Sequence, residues 1–352
     1  MRRPLRIVLF IVIILVLLIA AFFLFLTVRE YRPPSVMSLA VPEKMNGDRT
    51  VTKEDELSLV TFNTGYAGLG AEEDFFMVGG NGVMPDNAGV IDDNLHGIAD
   101  ILEDLDASFY FLQEVDRGSK RSYYIDEMDF YTDSLGMPGI YAPNFRADFV
   151  PYPFPPIGKV ESGLVTITAK DVKSAARISL PESFTWPVKT CNLKRCMLEL
   201  RLPVDGTDKE LVLINFHLEA YDDGEGKIAQ TNVLKEKLSE EYYLGNYVIA
   251  GGDFNQTIEG ISKYPVVDES NWVPGVMKEE DLPEHFSFAV SDNEPTCRSL
   301  AAPYSGNYND TQVWVLDGFI VSDNIEVKKL ENKAVDFKYS DHQPVEMIFT
   351  FK

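Results

Sequence analysis

Apolar residues group along this chain in three distinct ways. From Ile7 to Val28 there are 22 consecutive residues without a charge, nearly all Ile, Val, Leu, Phe and Ala. As a helix that run spans about 33 Å, long enough to cross a bilayer. Further on, short runs rich in β-branched and aromatic residues recur: Leu57–Phe62, Ser108–Leu112, Gly163–Thr168, Met197–Leu202, Leu211–Phe216, Tyr247–Ala250, Val313–Val321 and Val345–Phe351. Each predicts a strand. Two stretches carry helical spacing instead: Asn94–Leu105 places Leu95, Ile98, Ile101, Leu102 and Leu105 on one stripe, and Gly226–Leu238 repeats the pattern with Ile228, Val233, Leu234 and Leu238. The mixture predicts an α/β or α+β domain rich in strands, with no internal repeat.

The intervals between these runs set the organisation. Residues 29–55, with Pro33-Pro34, Pro42 and Asn46-Gly47, keep no period and read as a tether. The expected plan is a short tail at 1–6, a transmembrane anchor at 7–28, the tether at 29–55 and one catalytic-sized domain at 56–352. Residues 258–311, with Pro, Gly and Asn throughout, show no clear element. A cleaved signal peptide usually carries about 7–15 apolar residues followed by a small-residue site, and Thr27-Val28-Arg29-Glu30-Tyr31 offers none, so the span reads as an uncleaved anchor. Arg2, Arg3 and Arg6 precede it and favour a cytoplasmic tail, although Arg29 and Arg32 weaken the asymmetry. The expectation is a single-pass protein of the cell membrane with its body outside the cytoplasm.

Charge sharpens this picture. The 352 residues hold 32 Lys plus Arg against 55 Asp plus Glu, a net of −23, and five of the basic residues lie in the first 32 positions with Glu30 alone opposing them. The remaining 320 residues hold 27 basic against 54 acidic groups, a balance of −27. Such a body repels polyphosphate at long range, which disfavours non-specific nucleic-acid binding. Three cysteines exclude a disulfide framework and a zinc cluster. Cys191 and Cys196 bracket Asn192-Leu193-Lys194-Arg195, a spacing that suits a four-residue hairpin loop and leaves open either a bridge or two free thiols.

Several predicted strands end on polar groups that a core strand does not need. Leu57–Phe62 runs into Asn63, Phe109–Leu112 into Gln113-Glu114, Leu211–Phe216 into His217, and Val248–Gly252 into Asp253-Phe254-Asn255. Trp314-Val315-Leu316 precedes Asp317, and Ser340-Asp341-His342 introduces the last strand. A single Asp or Asn after a strand is ordinarily a turn former or cap. The ordered set makes one pocket of hard oxygen ligands and imidazoles if the ends converge, a chemistry that suits Mg²⁺ or Mn²⁺. His96, inside a helical pattern, and His285 fit structural roles.

On these residues the sequence resembles the endonuclease/exonuclease/phosphatase superfamily of metal-dependent phosphodiesterases. The matching elements are Thr61-Phe62-Asn63, Leu112-Gln113-Glu114-Val115, Ser162-Gly163, Asn215-Phe216-His217-Leu218-Glu219, Gly251-Gly252-Asp253-Phe254-Asn255, Leu316-Asp317 and Ser340-Asp341-His342, in family order from about 56 to 352. The resemblance implies a four-layer α/β/β/α sandwich of two mixed sheets flanked by helices. It further implies Glu114 as principal metal ligand with Asn63 beside it and Asp341 approaching the metal. Asp253 would orient or deprotonate water, Asn255 would donate to phosphate, His217 and His342 would contact phosphoryl oxygens, and Asp317 would orient His342.

The substrate reading rests on less. Asn144–Pro156 packs four aromatics and four prolines before Ser162-Gly163, a stiff aromatic loop suited to a lipid headgroup or a base, or folded onto its own core. Arg146 is a candidate phosphate contact, and Lys189, Lys194 and Arg195 form a small basic cluster near the hairpin. Anchor and acidity together favour a Mg²⁺-dependent phosphodiesterase of phospholipid headgroups or small phosphoesters, sphingomyelinase-like in class. An anchored extracellular nuclease and a binding module that has lost catalysis are the alternatives.

Overall fold

The computed structural model describes residues 2–45, 49–221, 224–261, 264–267 and 272–352. Two mixed sheets pack face to face. The first runs in the order Val36–Leu39, Ser174–Ser179, Cys196–Asp205, Glu210–His217, Tyr247–Asp253, Asp317–Ser322 and Phe286–Ala289, with Val51–Thr52 paired beside Cys196–Asp205. The second runs Ile325–Asn332, Val345–Phe351, Leu57–Asn63, Phe109–Asp116, Gly158–Thr168 and Gly139–Val150. Each sheet contains one central parallel pair, Glu210–His217 with Tyr247–Asp253 and Leu57–Asn63 with Phe109–Asp116. Parallel neighbours need a crossover, and helices Glu225–Tyr243 and Ala88–Leu105 supply them.

Each helix covers the outer face of its own sheet. Leu95, Ile98 and Leu102 pack on Val60, Tyr110 and Val165, while Leu234 and Leu238 pack on Val212, Val248 and Ile320. Between the sheets lies the largest core, with Leu59, Phe109, Phe111, Leu200, Ile249 and Phe319 buried. Strands covered on both faces have no solvent side, which is why Tyr247–Ala250 and Leu211–Phe216 read as continuous apolar runs. The layers are therefore α/β/β/α, as the resemblance implied.

The eight sequence-predicted strands occur, one with a change. Val313–Val321 is interrupted at Leu316, because the Thr296 hydroxyl accepts from the Leu316 and Asp317 amides at 2.9 and 3.1 Å. Val313–Trp314 pairs with Cys297–Arg298, and Asp317–Ser322 belongs to the first sheet. Strand Ile325–Asn332 escaped the sequence pattern because an edge strand can carry charges, here Glu326, Lys328, Lys329 and Glu331. Residues 29–55 differ from a free tether. Val36–Leu39 pairs antiparallel with Ser174–Ser179, Val51–Thr52 pairs parallel with Val204 and Asp205, and Met45 enters the main core. Backbone pairing onto a sheet edge needs no side-chain period, so the pattern did not reveal it.

Two other expectations change. Asn144–Pro156 is no loop at its start: Gly139–Val150 is a strand, and 151–157 connect it to Gly158–Thr168. Cys191 closes a 3-10 turn, Val188–Cys191, rather than facing Cys196 across a hairpin. The hairpin joins Ser179 to Cys196 and closes at Leu180 and Arg195, so Asn192–Arg195 is only the end of a longer connection. All three cysteines are free thiols.

The helix Arg2–Val28 is long and apolar enough to cross a membrane, a test that a signal sequence also passes. Its C-terminal end is fixed to the body. Lys194 reaches Glu30 at 2.9 Å and Glu182 at 2.8 Å, with Lys194 and Glu30 both buried, and Arg29 pairs with Asp148. The basic cluster expected at 189–195 is thus neutralised by glutamates.

A second ionic group holds helix Glu225–Tyr243 to its sheet. Arg201 grips Glu241 in a two-pronged pair at 2.8 and 2.9 Å, Lys237 reaches it at 2.7 Å, and Asn246 donates at 2.8 Å. Burial alone would raise the Glu241 carboxyl, but these donors lower it to about 2. A folded-state value below the unfolded one stabilises the protein above the ordinary carboxyl range and is lost as pH falls. Glu241→Gln should therefore cost roughly 2 kcal/mol in urea unfolding at neutral pH. The gap to the parent should close between pH about 4.5 and about 2.

Candidate active site

The register of three neighbouring strands sets the site. Asp253 is paired with His217 on one side and with Asp317 on the other, so one row across the end of the first sheet carries His217, Asp253 and Asp317. Glycine makes this row possible. A Cβ on Gly252, at φ +147°, would lie 1.9 Å from the Phe216 carbonyl oxygen, and one on Gly251 would lie 2.3 Å from the Phe319 ring. The second sheet brings Asn63, opposite Gln113 in the ladder, and then Glu114. Between Leu112 and Val115 the register shifts and Glu114 takes a positive φ of 55°, a bulge that turns its side chain out of the strand alternation. Ser340-Asp341-His342 crosses between the sheets, held by the Ser340 hydroxyl donating to the Asn63 carbonyl at 2.8 Å.

All eight sequence-predicted site residues line or adjoin this junction. His342 Nδ1 is 2.8 Å from Asp317 Oδ2, and its Nε2 lies 3.7 Å from Asp253 Oδ2. His217 Nε2 is 3.4 Å from the same oxygen. Asp253 accepts from Asn63 Nδ2 at 3.0 Å and from the Asn255 amide at 2.8 Å. Asn63 Nδ2 also lies 3.4 Å from Glu114 Oε1, while its Oδ1 accepts from the Gly65 amide. Asn255 spends one side-chain donor on the Leu218 carbonyl, leaving one for a ligand.

The two histidines occupy opposite electrostatic settings. Burial would strip His342 of its proton, but the Asp317 and Asp253 charges hold its basicity well above the ordinary value. His217 is held well below it, first by burial and then by the positive Arg195, His342 and Arg121. One is a cationic donor and the other a neutral one. Burial raises Asp253, with Asp317 adding and His342 opposing. The Nδ1 of His217 and Oδ1 of Asp317 are buried without a hydrogen-bond partner, a cost that folded proteins seldom carry outside functional sites.

The donor chemistry fits a hard cation. Burial and the nearby charge of Glu114 raise Asp341 to about 6, with His342 opposing. A buried carboxylate raised by a neighbouring one gains from a divalent ion. Gly65 leaves the approach clear, since a Cβ there would stand 2.9 Å from Asp341 Oδ1. Among the described residues, compact donor groups form from Asp253, Asp317 and His342, and from Cys297, Asp341 and His342.

The residue pattern gave no site role to three buried arginines or to an amide pair. Arg121 sits over the Tyr66 ring at 3.6 Å, pairs with Asp116 at 3.0 Å and comes to 3.9 Å from Glu114. Arg195 donates to the His217 carbonyl at 3.0 Å and lies 3.4 Å from Glu219. Arg298, also buried, binds the Gly70 carbonyl at 2.6 Å. Beneath the site, Gln113 donates to Asn215 at 2.8 Å, and Asn215 donates to the Leu112 and Val165 carbonyls, which ties the sheets together. An amide inside an otherwise apolar strand was the available signal for Asn215.

The site opens into a cleft of about 550 Å³ whose lining includes Glu114, Asp253 and His342. Its apolar lining includes Phe75, Phe76, Phe145, Ile157 and Trp272, together with Phe22, Phe23 and Leu26 of the N-terminal helix. Loss of the amide tie below this cleft is measurable. Asn215→Leu should destabilise the fold by about 2–4 kcal/mol in urea unfolding, because Gln113 and two carbonyls lose partners. Adding Gln113→Leu should cost less than the sum of the two single changes.

No family model and no curated protein matches the sequence. Solved structures do match. The endonuclease/exonuclease/phosphatase from Beutenbergia cavernae aligns over 84% of this chain and 72% of its own, at 17% identity and a TM-score of 0.56. An endonuclease/exonuclease/phosphatase from Bacteroides vulgatus aligns over 85% and 100%, at 14% and 0.54. The human Nocturnin catalytic domain with bound sulfate aligns over 84% and 95%, at 16% and 0.53. The chain has the endonuclease/exonuclease/phosphatase fold.

Proposed function

We propose that this protein is a membrane-anchored, Mg²⁺-dependent phosphodiesterase whose substrate is a phospholipid or a small phosphoester at the membrane surface. The observation that carries the catalytic half is the row His217, Asp253 and Asp317 with His342 bonded to Asp317 at 2.8 Å. Glu114 and Asp341 are the residues that would hold the ion, and Asn63 would join them only with its amide flipped, since its Nδ2 faces Glu114 and Asp253 here and its Oδ1 accepts from the Gly65 amide. A bound divalent cation supplies charge neutralisation on the phosphate and on the leaving oxygen.

The chain's own residues do the rest. Asp253, raised by burial, accepts a proton from water as the water oxygen bonds to phosphorus. The ester P–O bond breaks as the new bond forms, and the departing oxygen takes a proton from solvent and is released as the alcohol, leaving a phosphomonoester. Cationic His342, neutral His217 and the free Asn255 donor face the phosphoryl oxygens where charge builds. Asp317 stabilises the His342 imidazolium and fixes its orientation, since its carboxylate meets Nδ1 and leaves Nε2 toward the site. The anchor and the −27 body support a phosphoester at the membrane over a polynucleotide.

Kinetics on bis-p-nitrophenyl phosphate test this reading. Chelator should abolish turnover and Mg²⁺ or Mn²⁺ should restore it. Asp253→Asn and His342→Ala should each lower kcat by at least about 10²-fold, and together by less than the product of the two. Asp317→Asn should be a milder His342 variant. Undiminished turnover by a folded Asp253→Asn protein would overturn the mechanism.

A further inference from the structure

The N-terminal helix does more at its end than lead into the body. Its last two turns are fastened on several sides. Trp186 Nε1 donates to Thr27 at 3.1 Å, Phe23 stacks at 5.6 Å from Trp186, Phe22 meets Phe149 edge-on at 6.4 Å, and Leu26 is only 5% exposed. Just beyond the helix, Glu30 is buried against Lys194. An element that served only as an anchor would need none of these contacts, because a loose linker suffices. The same turns also contribute Phe22, Phe23 and Leu26 to the lining of the cleft that ends at Asp253 and His342.

Geometry then fixes where the cleft opens. A span of about 33 Å slightly exceeds the roughly 30 Å hydrocarbon core of a bilayer, which sets Thr27 and Val28 at the boundary where acyl chains meet headgroups and Phe22, Phe23 and Leu26 within the outermost ~8 Å of the acyl region. The body exposes Trp186 and Val188 beside the helix end, and Tyr152 and Phe154 in the 151–157 connection, the last 96% exposed. Aromatic side chains at such a height favour the membrane interface. The cleft is therefore apolar from a mouth at the bilayer boundary inward, and polar where the carboxylates and imidazoles gather. That polarity matches an amphiphile with one phosphate end, and its volume lies within the range of small-molecule sites.

We propose that the final turns of the N-terminal helix form one wall of the substrate cleft, and that the substrate is a membrane phosphodiester lipid whose hydrocarbon chain lies between this helix and the body. The phosphate end reaches the Asp253–His342 junction, and the lipid enters from the bilayer without crossing water. The role of the junction rests on the phosphodiesterase reading, whereas occupation of the cleft by a hydrocarbon chain does not require turnover.

The test uses the full chain reconstituted in vesicles of phosphatidylcholine and sphingomyelin, with phosphatidylcholine carrying a photoactivatable diazirine near one acyl terminus. Illumination should attach label to peptides containing Phe75–Val78 and Phe145–Ile157. Label confined to Ile7–Ile19 of the span would overturn the proposal. In a second arm, Phe22→Ser/Leu26→Ser should lower the ratio of vesicle-lipid turnover to bis-p-nitrophenyl phosphate turnover at least about tenfold, because binding energy remote from the phosphate aligns it for reaction. An unchanged ratio would count against the helix as a wall. If the parent hydrolyses neither the soluble diester nor the lipids, the phosphodiesterase reading fails while the labelling pattern still decides the cleft.

Discussion

The in-register alignment of three strand ends is the constraint on which the site depends. Parallel pairing sets His217 beside Asp253, and antiparallel pairing sets Asp317 on its other flank. Side chains on neighbouring strands at the same register stand on the same face, so a slip by one residue would send one of the three to the opposite side of the sheet. The two glycines before Asp253 allow the neighbouring strands to close on that point. Register is itself secured by the inter-sheet core and by the Gln113–Asn215 tie directly below. Packing thus reaches the chemistry through backbone pairing.

A row of this kind gathers like charges, and the structure offsets them with fixed donors. Asp253 and Asp317 face His342 from two directions, while Asn63 and the Asn255 amide bond Asp253. Burial, with Arg195, His342 and Arg121 adding to it, holds His217 well below its ordinary basicity. Two imidazoles of the same intrinsic basicity are thus pushed in opposite directions within one pocket, because the Asp317 and Asp253 charges outweigh burial at His342, whereas burial and nearby cations prevail at His217. Glu114 and Asp341 form the remaining carboxylate pair, with Arg121 3.9 Å from Glu114, and in the proposed function they are the pair that would hold a divalent ion.

Much of this was legible in sequence because the functional groups sit where strands stop. An apolar run ending in His217 or Asp253 displays both the strand and its exception, and the resemblance drew on the same positions. Glu114 was legible as a residue but not as a bulge, since a register shift leaves no residue signature in Gln113-Glu114-Val115. Lys194 and Arg195 read as part of a small basic cluster, yet both are buried against glutamates that lie far off in sequence, Glu30 and Glu219. The cleft was invisible for the same reason: Phe22, Phe76, Phe145 and Trp272 meet only after folding. Residues 29–55 lacked a side-chain period because their place at the sheet is held by backbone hydrogen bonds.

If the junction of the two sheets is a divalent-cation site, occupancy can be read without any substrate. Manganese has an electron-paramagnetic signal that is lost from solution when the ion binds, and the full chain in detergent can be titrated with it directly. The account predicts a saturable Mn²⁺ site that competes with Mg²⁺, is abolished by Glu114→Gln and is weakened by Asp341→Asn. Retention of the parental affinity in folded Glu114→Gln protein would contradict it.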